Sequence, residues 1–180
     1  MRPPAPGLPA GWFSPIDVAE YRYLVRELPD KATMVEVGVF LGRSLSSVAD
    51  LIRAKQIRLV AVDTFTKLGM RGYRPLKDTQ RNLFDKHMHE RGLDPIVYAM
   101  PSMEAAIRFQ GKADFVFLDA DHTYRAVLAE IAVWRLKTTR MMGGHDYRRK
   151  ATSLVNGVKQ AVDESFRSVH IRGEVWSAEM

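Results

Sequence analysis

The sequence at residues 33–44 is Thr33-Met34-Val35-Glu36-Val37-Gly38-Val39-Phe40-Leu41-Gly42-Arg43-Ser44, and this stretch decides the fold. Its first half is an apolar, β-branched run that predicts a buried strand over 33–39. Two glycines then punctuate a turn, and apolar residues at helical spacing follow over 44–55. A strand that passes through a glycine turn into a helix is typical of the opening unit of an α/β fold.

Strands and helices alternate along the rest of the chain. Further buried strands are predicted over 58–63, 96–99, 114–119 and 141–144, with helices over 14–28, 82–88, 102–109, 123–136 and 155–166. This alternation implies right-handed crossovers and a mostly parallel, doubly wound sheet with helices on both faces. Two short closing strands, 168–171 and 175–178, predict an antiparallel C-terminal hairpin at one edge. The predicted fold is therefore an α/β seven-stranded sheet.

Composition limits the class of protein. The 180 residues are 46% hydrophobic and 27% charged, which is ordinary for a globular chain. There is no cysteine, which excludes a disulfide framework, a thiolate zinc site and a cysteine nucleophile. No apolar run approaches the roughly 20 residues that cross a bilayer, so we expect a cytoplasmic protein without a membrane partner. Residues 1–11 are predicted to form a flexible, proline-rich leader, and residues 12–180 a single domain.

The net charge of +6 suits an anionic partner. The basic residues are scattered, however, and they lack the aromatic array that stacks bases. The pattern therefore favours a solvated surface over a nucleic-acid partner.

Ionisable residues stand at the ends of the central strands, where open α/β sheets bind their ligands. Such groups would be costly if they only filled a core. They are Glu36, Asp63, Asp119 with His122, and His145 with Asp146. Glu36 lies within an apolar strand and needs a partner, for which a cationic ligand group and a backbone amide are the two candidates.

The first turn and Asp63 predict a nucleoside site. Gly38 allows a ligand close to the backbone, and Gly42 supports the turn into the helix. The spacing matches neither the dinucleotide fingerprint nor a P-loop. Asp63 ends the second strand, 21 residues after Gly42, where a carboxylate can accept both hydroxyls of a ribose. A structural turn and a capping aspartate are the alternative interpretations.

Asp119 and Asp146 are predicted to converge, because neighbouring strand ends lie about 5 Å apart. With His145 they would suit Mg²⁺, Mn²⁺ or Fe²⁺. A metal-free site with His145 or His122 as base or positioning group is the alternative. Asp121 is either a helix cap or a catalytic group.

Together these motifs resemble class I S-adenosylmethionine (SAM)-dependent methyltransferases, which have a Rossmann-like fold. The resemblance is strongest to the small bacterial and phage-type group related to the macrocin O-methyltransferases. It extends over residues 12–180. The segments that carry it are 35–38 with 42–44, 62–65, 114–124, 144–147 and 157–164.

The resemblance implies roles for these residues. Glu36, Gly38 and Gly42 would surround the methionine part of SAM, Asp63 would hold the ribose, and Ser102 would approach the adenine. Phe40, Ser44 and Thr64 complete the expected cofactor-binding set, which also includes Asp119 and His122 near the sulfonium and the acceptor. The expected catalytic residues are Asp119, His122 and His145, and the expected ligands of a divalent cation (Mg²⁺ or Mn²⁺) are Asp119, His145 and Asp146.

The implied reaction is O-methylation of a small hydroxylated acceptor, such as a sugar or a natural product. The sequence leaves open whether the protein forms a homodimer. A SAM-fold enzyme with other chemistry, such as metal-dependent hydroxylation, and a basic nucleic-acid-binding module are the alternatives.

Two features depart from the family's pattern. Thr138-Thr139-Arg140 stands where relatives have Pro-Gly-Gly, so we expect a loop that turns there without glycine. His145-Asp146 stands where metal-dependent relatives have paired aspartates, which leaves the metal requirement open.

Overall fold

A computed structural model describes residues 7–66, 80–148 and 157–180. Residues 1–6 of the expected leader lie outside this part. The helices are α1 (Pro15–Arg26), α2 (Arg43–Ser47), α3 (Ala49–Ala54), α4 (Gln80–Glu90), α5 (Ser102–Arg108), α6 (Tyr124–Arg135) and α7 (Val158–Ser165). The strands are β1 (Thr33–Val37), β2 (Arg58–Val62), β3 (Ile96–Tyr98), β4 (Ala113–Leu118), β5 (Thr138–Gly144), β6 (His170–Arg172) and β7 (Val175–Glu179).

The seven strands form one sheet in the order β3-β2-β1-β4-β5-β7-β6. Strands β1 to β5 pair in parallel, and β7 is antiparallel to both of its neighbours, β5 and β6. The predicted α/β fold is therefore confirmed, including its antiparallel C-terminal hairpin. That hairpin inserts β7 beside β5 and leaves β6 at the edge.

Alternate residues of the central strands pack against different helices. Met34, Phe115 and Phe117 belong to a core that includes residues of α1 to α4. Val35 and Val116 belong to a second core, which includes Trp134 and other residues of α5 to α7. Glu36 follows Val35 in the strand, so its side chain points to the same face as Met34, towards α1.

The structure corrects the sequence prediction at the helix over 44–55 and at the segment 138–140. The single helix expected over 44–55 is divided at Val48, whose φ of −119° and ψ of 8° are not helical. The prediction of a loop at Thr138-Thr139-Arg140 is wrong, because β5 begins at Thr138 and these residues are part of the strand. Thr138 pairs with Ala113 of β4, and its hydroxyl donates to the carbonyl of Trp134 at 2.8 Å.

The start of α1 is fixed by a capping box. Ser14 is the N-cap: its hydroxyl accepts from the backbone N–H of Asp17, and the Asp17 carboxylate accepts from the backbone N–H of Ser14 at 2.8 Å. The other oxygen of Asp17 accepts from the backbone N–H of Glu174, also at 2.8 Å. One buried carboxylate therefore joins α1 to the turn between β6 and β7.

None of the helices in the described ranges is both long and apolar enough to cross a membrane. The cytoplasmic location stays a prediction.

Ser14→Ala tests the capping box. Loss of one cap hydrogen bond should lower the free energy of unfolding by about 1 kcal/mol, measured by urea titration. Ser168→Ala, at an exposed position outside the capping box, is the control and should stay within about 0.5 kcal/mol of wild type. Equal stability of the two variants would contradict the assignment.

Candidate active site

A cleft of about 460 Å³ lies at the carboxyl ends of β1, β2 and β4. Its volume is in the range of small-molecule sites. Five residues of the predicted cofactor-binding set line it: Gly38, Asp63, Thr64, Ser102 and His122. The strand-end prediction therefore located a real concavity.

Gly38 lies at the base of the cleft, where the backbone of Asp119 and Ala120 passes very close to it. Its φ is +89°, and a Cβ at this position would lie 2.2 Å from the carbonyl oxygen of Asp119. No side chain can be accommodated there. The glycine therefore keeps bare backbone at the base of the cleft, where the chain leaving β1 meets the chain leaving β4.

Asp63 organises both loops beside the cleft. Its Oδ2 accepts from the backbone N–H of Phe40 at 2.8 Å, and its Oδ1 accepts from that of Phe65 at 2.7 Å and from the amide of Gln80 at 3.5 Å. Phe40 has a φ of +46°, which is costly for a residue with a side chain. Asp63 thus makes turn-forming contacts, as the alternative interpretation of a structural aspartate expected, and it also lines the cleft. Its Oδ2 can still accept a hydrogen bond from a ligand.

Glu36 is fully buried, and its partners are neither of those considered from the sequence. Its carboxyl accepts hydrogen bonds from the hydroxyls of Tyr21 and Ser44. Burial raises the pKa of Glu36 to about 8, against the opposing effect of these two hydrogen bonds. Glu36 and Ser44, both expected to contact the cofactor, thus contact each other.

Gly42 has a φ of +78° and stands at the N-cap of α2, as predicted for the turn. The other five residues of the predicted cofactor-binding set do not line the cleft: Glu36, Phe40, Gly42, Ser44 and Asp119. Glu36 contacts Tyr21 of α1, and Gly42 lies against Met88 and Phe84 of α4.

A cluster of two carboxylates and two imidazoles lies where β4 and β5 end. His122 Nε2 is 2.8 Å from Asp146 Oδ2 and 3.6 Å from Asp119 Oδ1. His145 Nδ1 is 3.8 Å from Asp119 Oδ1 and 3.6 Å from Asp146 Oδ1. The three expected catalytic residues, Asp119, His122 and His145, therefore do converge.

The charges of this cluster shift its histidines towards the cationic form. Burial lowers the pKa of His122, but hydrogen bonds and charge from Asp119 and Asp146 outweigh it and raise that pKa to about 9. Burial also lowers the pKa of His145. The charges of Asp119 and Asp146, and the contact with Asp17, outweigh burial, so the pKa of His145 is raised. Two carboxylates thus face two imidazoles that readily hold protons.

The predicted metal ligands are close enough to share one ion. Asp119, His145 and Asp146 each offer a ligand atom, and these atoms lie within 4.8 Å of one another. One nitrogen and two carboxylate oxygens fit a divalent cation such as Mn²⁺.

Sequence reasoning missed the residues that surround His145. Asp17 Oδ2 lies 3.4 Å from His145 Nε2, and the Phe13 ring stacks on the imidazole with centroids 4.6 Å apart. The buried Arg43 of α2 donates hydrogen bonds to the backbone carbonyls of Phe13 and Pro9. These bonds hold the N-terminal segment against α2. Asp17 was visible in the sequence as an acidic residue in a first helical turn, but nothing local indicated its contact with His145.

Residues 35–147 match a family described as "Methyltransferase domain". Solved structures with a similar fold include three at low sequence identity. No curated protein sequence matches the chain. An O-methyltransferase from Bacillus cereus in complex with SAH (S-adenosylhomocysteine) is 14% identical, with a TM-score of 0.66 over 96% of this chain and 84% of that one.

The second structure is an SAH-bound methyltransferase from Podospora anserina, 12% identical, with a TM-score of 0.63 over 89% of this chain and 76% of that one. The third is a calicheamicin methyltransferase, 15% identical, with a TM-score of 0.62 over 90% of this chain and 76% of that one. At these identities the similarities establish a shared fold.

Glu36→Gln should remove a pH dependence of stability. The pKa of Glu36 is raised from 4.5 to about 8 in the folded chain, so folding takes up a proton between these values. The proton on Glu36 therefore stabilises the folded chain fully below about pH 4.5. This stabilisation is lost as the pH rises to about 8, by up to about 1.4 kcal/mol of unfolding free energy per pH unit. Urea titrations from pH 5 to 8 measure the slope in wild type and variant.

The control is Glu27→Gln, at an exposed position, which should keep the wild-type slope. If Glu36→Gln keeps that slope too, Glu36 is not the group that takes up the proton.

Proposed function

This chain belongs to the methyltransferase-domain family, and from that premise we propose that it transfers the methyl group of SAM to a hydroxyl of a small acceptor. The observation that carries the proposal is the cleft lined by Gly38 and Asp63, with the cluster of Asp119, His122, His145 and Asp146 beside it. His122 belongs to both, and so it links a nucleoside-sized cleft to a group of proton-holding side chains.

The cleft fits an adenosine group. Asp63 Oδ2 has acceptor capacity for ribose hydroxyls, and an unphosphorylated ribose suits a carboxylate. Ser102 Oγ accepts from the indole N–H of Trp134 at 3.0 Å, which fixes the serine and leaves its own O–H to donate to a ligand. Thr64 stands beside Asp63 in the lining, and the bare backbone at Gly38 allows close approach.

When bound, SAM supplies a methyl group on a sulfonium that is open to in-line displacement. The chain's own contribution is to align the acceptor oxygen with that methyl group and to hold the proton that the acceptor loses. Asp119, or His122 or His145 in its neutral form, is placed to accept this proton. A divalent cation on Asp119, His145 and Asp146 would polarise the acceptor hydroxyl.

The acceptor is proposed to be a small hydroxylated molecule such as a sugar or natural product. Two of the similar structures support this choice: one is named an O-methyltransferase and another a calicheamicin methyltransferase. The carboxylates and imidazoles beside the cleft are the chemistry that an alcohol or phenol acceptor requires, because its oxygen must lose a proton.

Asp63→Asn tests the cofactor site. Calorimetry should show binding of SAM and SAH to wild type and about 10- to 100-fold weaker binding to the variant, because hydrogen bonds to a charged group contribute about 1.5–3 kcal/mol. Asp94→Asn, at an exposed position, is the matched control and should bind as wild type. Absence of binding to wild type, or undiminished binding to Asp63→Asn, would overturn the cofactor assignment.

Asp119→Asn tests the catalytic cluster. With SAM and a panel of sugars and hydroxylated natural products, SAH release should fall at least about 100-fold, the scale of lost acid–base catalysis. Its affinity for SAH should change less than about 10-fold, because the backbone of Asp119 still packs on Gly38. Asp94→Asn again serves as the control, and full turnover by Asp119→Asn would remove Asp119 from the mechanism.

A further inference from the structure

We propose that Asp17 is a positioning residue of the metal centre, holding Nε2 of His145 so that Nδ1 faces the point between Asp119 and Asp146 where a divalent cation binds. This inference rests on the proposed function, since it concerns the same site. It assigns a role to a residue on α1, an element outside the strand ends that carry the ligands.

The two nitrogens of His145 face different partners. Nε2 lies 3.4 Å from Asp17 Oδ2, while Nδ1 lies 3.6 Å from Asp146 Oδ1 and 3.8 Å from Asp119 Oδ1. The two separations at Nδ1 are close to the roughly 3.4 Å between ligands that lie about 2.1 Å from one tetrahedral metal ion. The imidazole thus bridges a carboxylate on α1 and a ligand set at the ends of β4 and β5.

The ring is held firmly in this orientation. The exposed fractions of His145 and Asp17 are only 4% and 1%. The backbone N–H groups of Ser14 and Glu174 both donate to Asp17 at 2.8 Å, so its carboxylate is fixed from two sides. Phe13 stacks on the imidazole at an interplanar angle of 25°. The orientation of His145 therefore depends on contacts made at the start of α1.

This arrangement has the chemistry of a ligating histidine. A histidine that binds a metal through one nitrogen commonly donates its other N–H to a carboxylate, which fixes the tautomer and the ring plane. Asp17 is the carboxylate that faces Nε2, at 3.4 Å, and a proton on Nε2 leaves the lone pair of Nδ1 to bind a metal ion. A nitrogen ligand beside two carboxylates also shifts the preference from Mg²⁺ towards Mn²⁺, Co²⁺ or Zn²⁺.

The contact of His122 with Asp146 is compatible with such an ion. Asp146 presents Oδ2 to His122 at 2.8 Å and Oδ1 to His145 at 3.6 Å. A cation between Nδ1 and Oδ1 can thus bind without taking the oxygen nearest His122.

The test compares Asp17→Asn with Ser14→Ala, which weakens the same capping box but leaves both carboxylate oxygens of Asp17. Full-length protein, freed of metal with EDTA and dialysed, is titrated with Mn²⁺ followed by electron paramagnetic resonance, and with Co²⁺ followed by visible absorption. Wild type and Ser14→Ala should bind one ion with equal affinity. Asp17→Asn should bind about 10- to 100-fold more weakly and show an altered Co²⁺ spectrum.

SAH calorimetry on the same samples separates the two proposals and reports folding. The positioning role is supported if both variants bind SAH as wild type does and only Asp17→Asn binds Mn²⁺ more weakly. Equal weakening in both variants, or none in either, overturns it. Wild type that binds SAH but neither cation overturns the metal centre and leaves the cofactor proposal standing.

A second measurement needs no variant and so does not depend on whether Asp17→Asn folds. The ¹⁵N imidazole spectrum of the Zn²⁺-loaded wild-type protein should place the remaining proton of His145 on Nε2. A proton on Nδ1 would overturn the proposal.

Discussion

The structure depends on a close backbone contact between the chain leaving β1 and the chain leaving β4. The N–H of Asp119 donates to the carbonyl of Val37 at 2.7 Å, and that of Gly38 donates to the carbonyl of Val62 at 2.8 Å. The end of β1 is thereby joined to β4 on one side and to β2 on the other. Because a side chain at Gly38 would collide with the Asp119 carbonyl, this packing needs glycine, and it places the cleft and the catalytic cluster side by side.

Buried polar groups then hold the loops around this contact. Glu36, Tyr21 and Ser44 form a hydrogen-bonded group under the loop that follows β1, and Asp63 binds backbone N–H groups of two loops. These side chains are at most 7% exposed, and an unsatisfied polar atom in such a place would be costly. The residues that shape the cleft are thus partly distinct from those that line it.

The sequence was sufficient to predict features that depend on local pattern or on strand order. The apolar runs located the central strands, and the adjacency of β4 and β5 brought Asp119, His145 and Asp146 together as expected. Contacts from α1 could not be predicted, because Tyr21 and Asp17 reach Glu36 and His145 across large sequence separations. Thr138 was misassigned because its strand character comes from pairing with Ala113, which local pattern does not record.

The central claim is that SAM binds in the cleft with its ribose on Asp63, and a crystal structure of the protein with SAH tests it most directly. The account predicts ribose hydroxyls within hydrogen-bonding distance of Asp63 Oδ2 and the adenine beside Ser102. It also predicts the homocysteine sulfur on the side of Asp119 and His122. SAH bound elsewhere, or in this cleft with its ribose away from Asp63, would contradict the account.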